Sequence, residues 1–297
     1  MLLPRHILSV LAYFEYFDHP VTAEEVWKYC EIKTSPSIVK KELQRLVEQG
    51  LLVTAHGYFA RPGFESSLED RRKFEGLNRK LTSRAWLMVR FLSRIPFVRG
   101  IAISGSLSKE GAREDSDIDY FIVTAPNRVW LVKAFAIFIK KTLFLNSRKY
   151  LCVNYLLSED KLSLEKHNRF QAIEAASIIP MYGKDVFERF FAENNWIEQF
   201  YPNFIPDCAN CIKPRRGINK ILEFILKGSL GTFLETRART LFARHGNKRY
   251  GAIEKLKGYF NYSKNASMLF PNDFEASVLA HYEKEVEVLV RGELVEH

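Results

Sequence analysis

The stretch ISGSLSKEGAREDSDIDYFIV, residues 103–123, decides how this chain is read. It begins at the end of a β-rich run, Phe97 to Ser104, and turns at Gly105-Ser106. After ten more residues it reaches Asp117-Ile118-Asp119 and a second apolar run. The spacing predicts a strand over Ser116 to Val123. On a strand, residues i and i+2 share a face, roughly 6.6 Å apart. Asp117 and Asp119 are therefore expected side by side, with Ile118, Tyr120 and Ile122 facing the core. Two acids on such a strand repel each other and lose hydration, and a bound cation relieves both costs. Upstream, Gly105 lets backbone approach an anion closely. The residues after it are expected to open a helix whose free N–H groups face that anion. Ser106 and Ser108 add hydroxyls for phosphate oxygens.

Phosphoryl and nucleotidyl transfer need these parts. The triphosphate is densely negative and the attacking hydroxyl is weak. Divalent cations held by closely spaced carboxylates address both problems. Gly-Ser alone, or Asp-x-Asp alone, says little; strand, Gly-Ser, ten residues, Asp-x-Asp and strand together are specific. The stretch resembles the DNA polymerase β-like nucleotidyltransferase superfamily. That signature is an apolar residue, Gly and Gly or Ser, a gap, then two acids alternating with apolar residues. The form here looks especially like small bacterial nucleotidyltransferase domains and antibiotic-modifying nucleotidyltransferases. The surrounding strand–helix–strand pattern extends the likeness over residues 97–157.

The resemblance implies that Gly105 and Ser106 hold the triphosphate of an NTP and that Asp117 and Asp119 ligate Mg2+ or Mn2+. It also implies a third carboxylate, from a later strand, that completes the metal site and often takes the acceptor's proton. The matching strand is Lys149 to Ser158, and the expected place holds Asn154, completing a catalytic set with Asp117 and Asp119. An amide can ligate a metal but carries no charge and cannot act as base. Alternation puts Cys152, Asn154 and Leu156 on one side, and Val153, Tyr155 and Leu157 on the other. Glu159 and Asp160 are substitutes if the loop after the strand turns inward. Lys109 reads as a surface lysine more readily than as a phosphate contact, and His167, Arg169 and Glu174 as an ordinary solvated helix.

Two functions follow from this reading. One is a magnesium-dependent nucleotidyltransferase moving a nucleoside monophosphate to a hydroxyl on a small molecule, a protein or a nucleic-acid end. The other is a catalytically impaired nucleotide-binding regulator acting on DNA. A scaffold protein using neither chemistry is a third reading, opposed by the intact Asp117/Asp119 pair.

The regulator reading draws on residues 1–63. His6 to Phe17 is amphipathic, with Ile7, Leu8, Leu11 and Phe14 on one face. Thr22-Ala-Glu-Glu25 is a capping box. Ser35-Pro36 opens a third helix, with proline at its first position, and Gly50 stops it. Leu51 to Ala55 and Tyr58 to Arg61 form a hairpin around His56-Gly57. This order resembles the winged-helix domains of bacterial regulators. The third helix carries Lys40, Lys41 and Arg45 against Glu42 and Glu48, a modest basic excess.

The expected organisation is α/β (α+β). It has a winged-helix-like domain at 1–63, a helical connector at 64–96, a nucleotidyltransferase core at 97–160 and a helical C-terminal region at 161–297. In that last region the predicted helices are His167 to Ile179, Lys184 to Phe200, Ile218 to His245 and Asn272 to Val290.

Charge is uneven. The chain carries +9 overall, yet residues 212–264 hold 13 basic and 3 acidic side chains, and residues 265–297 hold 2 and 7. A stripe of that kind attracts phosphate-rich partners such as nucleic acid, or contacts the acidic tail. Four cysteines in 297 residues do not make a disulfide scaffold and fit a reducing cytoplasm. Cys208 and Cys211 lack a second pair and read as loop residues rather than a zinc site. Val129 to Ile139, the longest apolar run, is interrupted by Lys133 and too short to cross a bilayer, so no membrane partner is expected.

Overall fold

The computed structural model describes residues 2–143, 151–213, 218–250, 260–269 and 272–295. The first elements are α1 (Leu2–Glu15), β1 (Val21–Thr22), α2 (Ala23–Tyr29), α3 (Pro36–Glu48), β2 (Val53–Ala55) and β3 (Tyr58–Ala60). The capping box forms at α2. The Thr22 hydroxyl accepts from Glu25 N at 3.1 Å, and the Thr22 amide donates to the Glu25 carboxylate at 2.7 Å. Ser35 caps α3 by accepting from Ile38 N. The β2–β3 turn takes positive φ at His56 and Gly57, the geometry of a tight hairpin. The three strands form an antiparallel sheet in the order β1-β3-β2.

A long helix, α4 (Glu65–Leu92), leads to the second sheet. There β4 (Val98–Ser104) pairs antiparallel with β5 (Asp119–Thr124). The chain crosses through α5 (Val129–Leu143) to β6 (Cys152–Ser158), which runs parallel to β5. It continues through α6 (Arg169–Ser177) to β7 (Ile179–Tyr182), antiparallel to β4. Then come α7 (Lys184–Glu193), α8 (Ile197–Phe200), α9 (Ile218–Leu226) and α10 (Ser229–Tyr250). A hairpin of β8 (Phe260–Tyr262) and β9 (Ala266–Leu269) joins β6, and α11 (Asn272–Val295) ends the order. The six strands lie in the order β7-β4-β5-β6-β9-β8.

The region after Asp160 is thus not simply helical. It contributes three strands to the sheet, each of three or four residues. Runs that short carry little periodicity, and their pairing is long-range. Two predicted helices are also divided. Asn194 breaks Lys184–Phe200 by turning its side chain onto the backbone of Leu162, Leu164 and Phe190, and the turn at Gly228 separates α9 from α10.

Each face of the large sheet is covered. Ile101, Ile103, Tyr120, Ile122 and Leu156 pack against α4 and α5. Phe121, Val123, Tyr155 and Leu157 share one apolar cluster with Phe187 and Phe190 of α7 and with residues of α1, α2 and α3. Arg71 of α4 ties the first module down. It is buried, pairs with Glu25 at 2.8 Å, donates to the Pro20 carbonyl and lies over the Tyr58 ring. At the other end of the chain, α11 packs on α1: Glu285 pairs with Arg61 at 2.6 Å, and the Tyr282 hydroxyl donates to Glu31. No helix among the described residues is long and apolar enough to cross a membrane.

Candidate active site

β4 ends at Ser104, whose cross-strand partner is Asp119, the first residue of β5. Gly105 follows with φ +69, a left-handed conformation that disfavours any side chain. A Cβ built there would overlap Oδ2 of Asp119. The glycine is therefore required twice, by its dihedral and by the carboxylate seated against it. Next comes one 3-10 turn, Leu107–Lys109, a helical segment of only three residues. Three residues carry little aligned dipole, so individual amides and hydroxyls, not a macrodipole, characterise this turn. Ser106 precedes the turn, and its hydroxyl has no partner among the described residues. Ser108 is committed locally, its hydroxyl donating to the Gly105 carbonyl at 2.8 Å.

Asp117 is not on a strand. The Arg113–Ser116 turn, closed by Ser116 N to Arg113 O at 3.1 Å and Arg113 N to Ser116 Oγ at 2.8 Å, ends before it, and the Ile118 carbonyl already accepts from Cys152 N at 3.0 Å ahead of β5. Ile118, Tyr120 and Ile122 nonetheless enter one apolar cluster while Asp117 and Asp119 stay partly exposed, and the two charges are close enough to interact. Burial raises the Asp119 carboxyl to about 6; the Cys152 thiol, donating to it, opposes the rise, and Asp117 adds to it.

The β6 strand is the largest departure from the sequence reading. Its register pairs Asp119 with Cys152 and Tyr120 with Val153, then jumps to Phe121 with Tyr155. Asn154 is the extra residue of a bulge. One inserted residue reverses the alternation. Cys152 therefore shares the Asp119 face with Tyr155 and Leu157, whereas Val153 goes with Leu156. The Asn154 side chain lies outside what the structure describes. The group placed beside Asp119 is the Cys152 thiol, held protonated by burial and by the two acids, with its pKa pushed up to about 12. A β-α-β unit starts its parallel strands at the same end, which is the sequence signal that would have found Cys152.

Glu159 and Asp160 do not replace the missing acid. Ser158 pairs with Thr124, five residues along β5 from Asp119, which is roughly 17 Å away. Glu159 instead pairs with Arg99 at 3.7 Å and Arg189 at 3.2 Å, and Asp160 accepts from Ser158.

Of the three residues around α6, one reaches the site. Glu174 pairs with Lys109 at 2.9 Å, and Lys109 is half-buried there rather than exposed, also donating to the Gly105 carbonyl at 3.3 Å. Lys109 favours the charged form of Asp119 and Glu174 disfavours it. His167 stacks on Trp196, and Arg169 pairs with Glu31, away from Asp119. The first module adds two residues. A Cβ on Gly111 would stand 3.0 Å from His19 Nδ1, and Lys28 feels the Lys109 charge, with burial lowering it to about 8. Among the described residues, no group of three or more His, Cys, Asp or Glu is placed to hold a metal ion. Asp117 and Asp119 fall short of such a set.

Residues 84–179 match the nucleotidyltransferase domain family. The match spans about a third of the chain and runs from α4 through α6, taking in Gly105, Asp117, Asp119, Cys152 and Glu174. It supports nucleotidyl transfer as the chemistry of this segment. No curated protein and no solved structure matches the chain.

Proposed function

We propose that the chain is a nucleotidyltransferase using an NTP and a divalent cation, Mg2+ or Mn2+, to modify a hydroxyl-bearing acceptor. The observation that carries this reading is the Asp119 carboxylate seated against Gly105, with Asp117 adjacent, inside the segment that matches the domain family. The residues fit a cation. Asp119 is a partly buried acid whose charge is disfavoured by burial and by its neighbour, the situation a divalent ion relieves. Asp117 and Asp119 would hold it. When bound, such an ion neutralises polyphosphate and acidifies a hydroxyl.

The chain's own residues supply the rest. Gly105 keeps the strand end clear of side chain. Ser106 offers a hydroxyl donor to a phosphate oxygen. Lys109, anchored by Glu174, adds fixed positive charge beside the turn. The Cys152 thiol donates to Asp119 and so orients that carboxylate. Incubation with each labelled NTP, Mg2+ or Mn2+ and a cell extract tests the proposal. Label should pass to an acceptor, and Asp117→Asn with Asp119→Asn should abolish transfer and metal-dependent NTP binding in a folded protein. Unchanged NTP binding by calorimetry in that double variant sinks the site assignment.

One observation favours the second reading, an impaired nucleotide-binding regulator. A thiol, not an acid, stands beside Asp119 on β6, while α1 to β3 follow the element order of a winged helix. Saturable NTP binding without transfer, together with retention of duplex DNA through α3, would select it.

A further inference from the structure

The described residues line an open cavity of about 720 Å³ at the far end of the sheet from Asp119. It lies between the start of β4, the segment after β5, and helices α9 and α10; Phe97, Ala125 and Phe224 are among its walls. Two acids build its frame and leave little free negative charge. Glu223 accepts from Phe97 N at 2.6 Å and pairs with Arg99 at 2.8 Å. Glu235 accepts from Trp130 N and Leu131 N, at 3.0 and 2.7 Å, capping α5 from another helix. Arg128, 6 % exposed, donates to the carbonyls of Leu226 and Lys227 and lies over the Phe97 ring. These contacts tie α9 and α10 to the sheet edge and to α5.

The basic side chains on its lining are not balanced. Six basic residues face two acids. Lys220, Lys227, Arg239 and Lys264 line the cavity and make no ion pair among the described residues. Four cations outside any ion pair, with Arg239 acting on Glu235 at longer range, give the concave space an anion-attracting field. The volume falls within the usual range of small-ligand sites. Phe224, 82 % exposed on the rim, together with Pro126 offers an apolar surface beside the charges.

We infer that this cavity binds a phosphorylated small molecule of mononucleotide size. Its phosphate would meet Lys227 and Arg239 and its apolar part Phe224, at a site separate from Gly105 and Asp119. The inference does not depend on the chemistry proposed for that first site.

Calorimetry in EDTA, which silences cation-dependent binding at the two aspartates, provides the test. The probes are AMP, ribose 5-phosphate and inorganic pyrophosphate, with a single-stranded RNA oligomer as a fourth arm. AMP should bind, and Lys227→Glu with Arg239→Glu, both exposed positions, should weaken it at least tenfold with an unchanged melting temperature. Asp117→Asn with Asp119→Asn should leave it unaltered. Tighter binding of AMP than of ribose 5-phosphate assigns a nucleotide, and equal binding a sugar phosphate. No binding by any small probe, binding confined to RNA, or loss of AMP binding only in the aspartate variant would each overturn the inference.

Discussion

Lys109 on the turn after Gly105 and Glu174 on α6 meet as an ion pair, Nζ to Oε1 at 2.9 Å. Their charges act on Asp119 in opposite directions. Glu174→Gln should therefore ease ionisation of Asp119 and tighten NTP binding in Mg2+. Lys109→Met should raise the carboxyl further and weaken binding, by about tenfold for one lost charge-assisted contact. Titration calorimetry of both variants decides this. If both weaken binding alike, the pair serves only to hold α6 in place.

Gly105→Ala should be costly. It places a side chain at φ +69 and drives it into Asp119 Oδ2. The dihedral alone costs on the order of 1 kcal/mol and the overlap adds to it. Denaturant unfolding of Gly105→Ala, Asp119→Ala and the double variant separates the two. Truncating Asp119 should recover the steric part, giving a coupling of roughly 1 kcal/mol or more. Strict additivity would mean that the two residues do not meet.

Asp119→Asn should stabilise the protein at pH 8 and do nothing at pH 4. The Asp119 carboxyl is raised from 3.8 to about 6 in the fold. A raised value favours folding fully below about 4, and the benefit disappears as pH rises through about 6. The ionised carboxylate is then a cost on the order of 2–3 kcal/mol, which the amide removes. A melting temperature a few degrees above wild type at pH 8, converging at pH 4, is the expected record. Added Mg2+ should raise the wild-type midpoint and not the variant's. A constant gap across pH would refute the burial argument.

Supplying the missing acid should raise transfer. Cys152 pairs with Asp119 in the β6 register and Asn154 sits at the adjoining bulge. Turnover of Cys152→Asp and Asn154→Asp, each against wild type, shows whether either position restores a base. General-base contributions run roughly 10²–10⁴-fold, so a gain in one of them should be plain. No gain in either would show that the rate does not wait on a third carboxylate.

What the sequence disclosed, and what it did not, divides by range. The Thr22–Glu25 box and the Ser35 cap are contacts between residues three apart, and both formed as read. Gly105 and Asp119 belong to a motif whose two halves lie within one hairpin, so their meeting was also legible. Asp117 precedes β5 rather than lying on it, yet Ile118 and Tyr120 share the buried face that alternation gives them. The bulge at Asn154 was hidden, since alternation assumes a perfect register and nothing local marks the extra residue. Lys109 looked like a surface residue because Glu174, which draws it inward, arrives from a distant helix. The strands β7, β8 and β9 are short segments that acquire their identity only from the neighbours they pair with.

The packing of α11 on α1 has a consequence for synthesis. Tyr282 reaches Glu31, and Glu285 reaches Arg61, across separations of 251 and 224 residues. A ribosome adding about 5–20 residues per second needs roughly 10–50 s to make the intervening chain. Throughout that interval the first helix has emerged while the helix that covers it has not been translated. Tyr13, whose ring meets Tyr282, and its neighbours lack that cover until α11 is made, so a chaperone has a long opportunity at α1.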